Sequence, residues 1–138
     1  MSNYMWLAND VAAKFNNTEN FKQLLLKEIP MAVGCKNAIF IDKDDDRLGY
    51  HNCIYYAILR LTYISRTNIP IVIDFRTRLS SIASDTIELT LSGRIIKRET
   101  IVLKTGNTAE ENSMATDNFF EQLGELISKE INFNQRNK

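Results

Sequence analysis

The sequence predicts one α+β domain with two N-terminal helices, a mainly antiparallel sheet of about five strands and one C-terminal helix. Three observations support this fold class. Apolar residues recur at the three- and four-residue spacing of a helix near both ends of the chain. Between those ends, several segments alternate apolar and polar residues with the two-residue period of a strand. The predicted strands follow one another without helices between them, which is typical of an antiparallel sheet.

Two helices are predicted before the sheet. The first covers residues 3–15, and its apolar stripe consists of Tyr4, Leu7, Val11 and Phe15. The second begins at Thr18, whose hydroxyl suits a helix N-cap, and is expected to end at Pro30 because proline disfavours helix at the residue before it. The apolar face of this second helix consists of Phe21, Leu24, Leu25 and Ile29.

The predicted sheet follows. A wholly apolar run at residues 38–41 suits a strand buried on both faces, and a charged turn at residues 42–49 comes after it. Three further strands are indicated by β-branched and aromatic content or by two-residue alternation. They cover residues 53–64, 69–78 and 86–91. A turn at Ser92-Gly93 predicts a hairpin whose second strand lies within residues 94–104.

The C-terminal part is predicted to be a polar loop over residues 105–115 followed by one helix. This helix is expected to begin near Thr116 or Asp117, which are both acceptable N-caps. Its apolar stripe consists of Phe119, Phe120, Leu123, Leu126, Ile127 and Ile131. Residues 134–138 are expected to fray. The 138 residues contain no linker-like segment, so residues 1–138 are predicted to form a single domain.

The composition is that of an ordinary globular protein, with 44% hydrophobic and 25% charged residues. No early positive region followed by an apolar run marks a secretory signal. The longest apolar run, residues 54–59, is far shorter than the roughly 20 residues that span a bilayer. We therefore expect a soluble, cytoplasmic protein that does not enter a membrane.

Motifs of the common enzyme classes are missing from the sequence. The glycines stand at positions 34, 49, 93, 106 and 124, so the chain has no G-x-G phosphate loop. His51 is the single histidine, which removes two-histidine metal sites and histidine-pair acid–base mechanisms. A nucleophile pair of Cys53 and His51 lacks a residue that would orient the base. We therefore expect no enzymatic activity and no cofactor.

Two sets of side chains contain metal-ligand types. The first set, which would suit zinc, is scattered along the chain and consists of Cys35, His51 and Cys53. The second resembles the first half of a calcium loop and consists of Asp42, Asp44 and Asp46. A calcium loop needs glycine at its sixth position and glutamate at its twelfth, where Arg47 and Cys53 stand. We expect no metal at the first set, and the sequence leaves a weak metal at the acidic turn open.

Charge is unevenly distributed, although 17 basic residues balance 17 acidic ones overall. Between residues 56 and 104 there are eight basic residues and four acidic ones. The basic sheet face predicted from strand parity contains Arg60, Arg66, Arg76 and Arg78. Such a face could bind nucleic acid, but single-strand binding normally uses stacking aromatics, and Tyr56 is the one candidate. We favour a solvated face whose arginines pair with Asp74 and Glu88.

The strand over residues 53–64 carries apolar residues on both faces, which predicts an interface. The candidate interface residues are Ile54, Tyr56, Ile58, Phe119 and Phe120. Our leading hypothesis is a non-enzymatic protein-binding or assembly module that self-associates, of the kind of a bacterial or viral chaperone-like or structural protein. The alternative is a nucleic-acid-binding protein that uses the arginine face, and an enzyme of unrecognised type ranks lowest.

Overall fold

The computed structural model describes residues 18–52 and 54–136, with side chains up to residue 133. Helix α1 (Thr18–Val33) precedes the sheet and helix α2 (Ala109–Arg136) follows it. The strands between them are β1 (Asn37–Ile41), β2 (Gly49–His51), β3 (Ile54–Ile64), β4 (Pro70–Ala83), β5 (Thr86–Ser92) and β6 (Glu99–Lys104). The predicted α+β class is therefore confirmed. The described residues contain one N-terminal helix where we expected two, and the predicted helix over residues 3–15 lies outside them.

All strands belong to one six-stranded antiparallel sheet with the order β1-β3-β4-β5-β6. The short strand β2 pairs with β3 on the same side as β1, so β1 and β2 lie end to end along one edge. From β2 to β6 each strand pairs with the next one in sequence, and β1 is the exception because it pairs with β3. This meander is the consecutive strand block that the sequence predicted.

The two faces of the sheet differ in what covers them. Along β3, β4 and β5 the odd-numbered side chains point into the core, and Leu59, Phe75 and Leu89 are fully buried. Both described helices pack on this side, where Phe21 of α1 meets Phe119 of α2 with their ring centroids 5.8 Å apart. The even-numbered side chains form the opposite side, which we call the open face.

Helix α1 continues beyond Pro30, contrary to the expectation from sequence. It ends at Val33, and Gly34 then adopts a positive φ of 67°. The backbone N–H of Cys35 donates to the carbonyl of Pro30 at 3.2 Å, which is the hydrogen bond of a Schellman C-cap. Pro30 is tolerated because it lies in the last turn, where the helix loses only one N–H donor before the glycine cap ends it.

Helix α2 begins at Ala109, seven or eight residues earlier than expected at Thr116 or Asp117. The Thr108 hydroxyl accepts the backbone N–H of Glu111 at 3.1 Å, and the Glu111 carboxylate accepts the N–H of Asn107 at 2.7 Å. These reciprocal bonds resemble a capping box, whose Thr-x-x-Glu spacing is present in the sequence. The apolar stripe begins only after this polar first turn, which is why periodicity alone placed the start too late.

Strand β1 is buried on one face, not on both as its wholly apolar run suggested. Ala38 is buried under α1, whereas Ile39 on the open face is 40% exposed. The open side of β1 is not covered by either described helix, because both pack on the opposite face of the sheet. Neither described helix contains a stretch long and apolar enough to cross a membrane.

Candidate functional site

The open face carries a continuous apolar strip along the β1–β3 edge of the sheet. Its members, which we call the apolar strip, are Ile39, Ile41, Ile54, Tyr56 and Ile58. Ile41 and Ile58 are directly opposite each other across the β1–β3 pair, and Tyr56 follows on the same face of β3. Ile54, Tyr56 and Ile58 are half-buried by their neighbours within the sheet. The three predicted interface residues of β3 therefore lie together on a face that neither described helix covers.

The other two candidate interface residues are placed differently. Phe119 and Phe120 are 0% and 1% exposed, and their ring centroids lie 5.4 Å apart in an edge-to-face arrangement. The helix therefore directs both rings into the core, because α1 and the sheet cover adjacent sectors of its surface. Neither phenylalanine is exposed to a partner, which corrects the assignment of Phe119 and Phe120 as candidate interface residues.

Beside the apolar strip, the open face has a basic concavity. A cavity of about 530 Å³ is lined by four arginines, with Tyr56, Thr90 and Ser92 among the remaining lining residues. A second cavity of about 340 Å³ adjoins it and shares Arg76 and Ser92. The basic residues of the two cavities, which we call the arginine groove, are Arg47, Arg76, Arg78, Arg94, Lys97 and Arg98. Among the described residues that line them, Asp74 is the one acidic side chain.

The cations of the arginine groove are not equivalent. Arg47 is held by Asp45 through contacts of 2.9 and 3.1 Å, and the hydrogen bonds from Arg47 lower the pKa of Asp45 to about 2. Lys97 donates to the carbonyl of Gly93 at 3.0 Å. The side chains of Arg76, Arg78 and Arg98 form no ion pair within the described part of the chain. These three guanidinium groups can therefore bind an external anion without breaking a salt bridge.

The basic sheet face predicted from strand parity is smaller than expected from its four arginines. Arg60 is paired with Asp74 across the β3–β4 register through two contacts of 2.9 Å. Arg66 lies in the turn between β3 and β4, because β3 ends at Ile64. Arg76 and Arg78 remain on the open face. The expected pairing of the arginines with acidic neighbours thus applies to Arg60 and not to these two.

A buried carboxylate on α2 holds the loop that carries Arg94, Lys97 and Arg98. Glu130 accepts the backbone N–H groups of Arg94, Ile95 and Ile96 at 3.1, 2.8 and 3.1 Å. Three convergent N–H groups form a nest for an anion, and here the protein supplies the anion itself. Sequence patterns do not predict this role of Glu130, and its one sign in the sequence is an acidic residue directly before Ile131 in the apolar stripe of the helix.

A second polar cluster fixes the β1–β2 loop on the helix side of the sheet. The hydroxyl of buried Tyr55 donates to Asp42 at 2.8 Å, and Lys22 lies 4.4 Å above the Tyr55 ring. Glu19 accepts a hydrogen bond from the Tyr50 hydroxyl and forms a 2.8 Å ion pair with Lys22. The hydrogen bonds from Lys22 and Tyr50 lower the pKa of Glu19 to about 2. Burial and these carboxylates raise the pKa values of both tyrosines.

The possible metal ligands are not brought together. Lys36, next to Cys35, donates to Thr62 near one end of β3, whereas His51 is opposite Ile54 at the other end, about 25 Å away. Cys53 lies outside the described residues. In the acidic turn, Asp42 is occupied by Tyr55 and Asp45 by Arg47. Residues 18–52 and 54–136 contain no group of three acidic, histidine or cysteine side chains placed to hold a metal ion.

No protein-family model, curated protein or solved structure matches this chain. The distinctive feature of the described residues is the open face, where aliphatic side chains lie beside arginines that have no ion pair within that part of the chain.

Proposed function

We propose that this chain is a non-enzymatic protein-binding or assembly module that associates with further copies of itself through the open face of its sheet. The observation that carries the proposal is the placement of both described helices on one side of the sheet. This arrangement leaves the apolar strip on the other side without a covering layer from the described residues.

The composition of the open face supports binding to a protein. A solvated face of an antiparallel sheet is normally polar. Here Ile39 is 40% exposed, and Ile64 and Val72, at the far end of the same face, are 45% and 53% exposed. Apolar side chains that are grouped and rimmed by charge are typical of an interaction surface.

The titratable groups of this face are better suited to binding than to proton transfer. Asp74 is engaged by Arg60. His51 is at the edge of the sheet, and its Nε2 lies 3.0 Å from the carbonyl of Leu48. Apart from the half-buried Glu88 on β5, the face presents mainly guanidinium groups and hydroxyls, which recognise a surface but are poor general bases at neutral pH.

The test is the mass in solution, measured by light scattering over a concentration series for the wild type and for a Tyr56→Glu/Ile58→Glu variant. We expect the wild type to assemble and the double variant to be monomeric with unchanged circular dichroism, because two carboxylates would be desolvated in the contact. Val102→Glu is the matched control, since Val102 is 47% exposed on the same face but lies on the distant strand β6. A wild type that stays monomeric at millimolar concentration would contradict self-association.

The arginine groove favours a second candidate function, the binding of single-stranded nucleic acid. Arg76 and Arg78 would contact phosphates, and Tyr56 would offer one stacking surface. Phosphate contacts make log K fall steeply with log salt. An electrophoretic titration with an oligonucleotide at several salt concentrations therefore tests this candidate, and a flat or absent response rejects it.

A further inference from the structure

The outer side of helix α2 complements the open face in charge. On this helix the buried residues Thr116, Leu123 and Ile127 face the core. The exposed residues on nearly the opposite side include Glu110, Met114, Glu121 and Glu125, which lie four to seven residues apart and which we call the acidic stripe. Met114 is 66% exposed and lies between Glu110 and Glu121 in this stripe.

Charge is therefore divided between the two sides of a chain whose total charge is zero. The open face has the arginine groove and the apolar strip. The back of the molecule has the acidic stripe and an exposed methionine. Each side offers what the other lacks, since carboxylates pair with guanidinium groups and Met114 is an adaptable apolar group that suits the apolar strip.

We infer that the partner of the open face is a second copy of this chain, bound in a head-to-tail manner, with the acidic stripe of one copy lying across the arginine groove and apolar strip of the next. This inference rests on the proposed function and specifies its partner. The acidic stripe is long enough to reach across the open-face row that it would contact. The stripe from Glu110 to Glu125 spans about 22 Å along the helix. The row from Ile41 on β1 to Ser92 on β5 spans about 15 Å across the sheet.

Charge also argues against a symmetric contact between two open faces. A two-fold contact brings the same patch of each copy together. Arg76 and Arg78 of one copy would then approach the arginine groove of the other, and like charges across an interface are unfavourable. A head-to-tail contact avoids this repulsion and generates a ring or a filament, because each copy retains one free front and one free back. Lys129, one turn beyond Glu125, limits the acidic stripe at that end.

The experiment compares three charge-reversed chains by light scattering and sedimentation. The front variant is Arg76→Glu/Arg78→Glu, the back variant is Glu121→Lys/Glu125→Lys, and the third chain carries all four changes. We expect the wild type to assemble beyond a dimer. Each double variant should raise the apparent dissociation constant about tenfold or more, because it opposes like charges. The chain with four changes should assemble again, because its reversed front meets its reversed back.

Arg66→Glu is the control for charge reversal, since Arg66 is exposed in the β3–β4 turn and belongs to neither surface. Circular dichroism checks the fold of every variant, and the milder pairs R76A/R78A and E121A/E125A replace any that is unfolded. A back variant that assembles like the wild type would overturn the head-to-tail contact and leave self-association through the open face standing. A front variant that assembles like the wild type would also overturn the head-to-tail contact, and the Tyr56→Glu/Ile58→Glu variant then shows separately whether the open face is the contact surface.

Two further outcomes also overturn the inference. A wild type that is monomeric at every concentration removes the second copy as partner. Tight, salt-sensitive binding of an oligonucleotide by a monomeric wild type, lost in the front variant, would assign the arginine groove to nucleic acid. Renewed assembly of the chain with four changes, combined with loss in each double variant, is the result that supports the head-to-tail contact.

Discussion

The carboxylate of Glu130 accepts the backbone N–H of Ile95 at 2.8 Å, although the two residues are 35 positions apart in sequence. Glu130 is 1% exposed on α2, and Ile95 belongs to the loop between β5 and β6. The same carboxylate accepts the N–H groups of Arg94 and Ile96. The C-terminal helix therefore determines the conformation of the loop that carries one end of the arginine groove.

We expect Glu130→Ala to lower the free energy of unfolding by about 3 kcal/mol. The change leaves three loop N–H groups without their acceptor. Hydrogen bonds to charged groups contribute about 1.5–3 kcal/mol each, and relaxation and hydration of the loop recover part of this loss. Urea denaturation at low protein concentration measures the effect. Glu121→Ala, an exposed acidic residue of the same helix, is the control and should change stability by less than about 0.5 kcal/mol. Equal values for the two variants would show that the carboxylate does not hold the loop.

Two glycines give a matched pair of alanine substitutions, one beside Glu130 and one on α2 where a methyl group has room. A Cβ at Gly93 would lie 2.5 Å from Glu130 Oε1 and 3.2 Å from the Phe75 ring, so Gly93→Ala should destabilise the protein by about 1–3 kcal/mol. A Cβ at Gly124 meets nothing closer than Ala32 O at 3.9 Å. Gly124→Ala should therefore stabilise α2 by about 0.5–1 kcal/mol, the difference in helix propensity. Thermal denaturation of both variants should give shifts of opposite sign, and a shared sign would contradict the packing at one of them.

The lowered pKa of Glu19 should make the free energy of unfolding fall in acid. Its pKa is lowered from the usual 4.5 to about 2 by Lys22 and Tyr50, so its contribution is complete above pH 4.5 and disappears as the pH falls towards 2. Because the Glu19 side chain is 45% exposed, solvent screening limits the contribution to about 1 kcal/mol or less. The wild type should exceed Glu19→Gln in stability at pH 6, and the two should converge at pH 2. A constant difference across this range would contradict the assignment.

Arg76→Ala/Arg78→Ala should change the free energy of unfolding by less than about 1 kcal/mol. Both side chains are exposed on β4 and form no salt bridge within the described residues. Their removal therefore leaves no buried group of that part of the chain without a partner. Chemical denaturation of the monomer provides the measurement. A loss above about 2 kcal/mol would mean that these arginines serve the fold rather than an external ligand.

The strands were the part of the fold that the sequence predicted best. Alternation along residues 69–78 and 86–91 assigned β4 and β5 and their faces correctly, because a strand directs successive side chains to opposite sides irrespective of its neighbours. The helix ends were predicted less well. Pro30 does not end α1, because Gly34 provides the cap, and α2 begins before its apolar stripe because its first turn is polar.

What the sequence determined by itself was the local conformation and the division of each strand into an apolar and a mixed face. These properties depend on residues close together in the chain. Only the tertiary structure decided which face the two described helices cover and that Phe119 and Phe120 are both internal. It also decided that Asp74 pairs with Arg60, while Arg76 and Arg78 have no ion pair among the residues that the structure describes. Each of these outcomes depends on strand register and helix docking, which bring together residues many positions apart. The same holds for Glu130, whose three N–H partners lie more than 30 residues away. A carboxylate can be buried there because distant backbone donors replace its lost water, and no local pattern encodes that compensation.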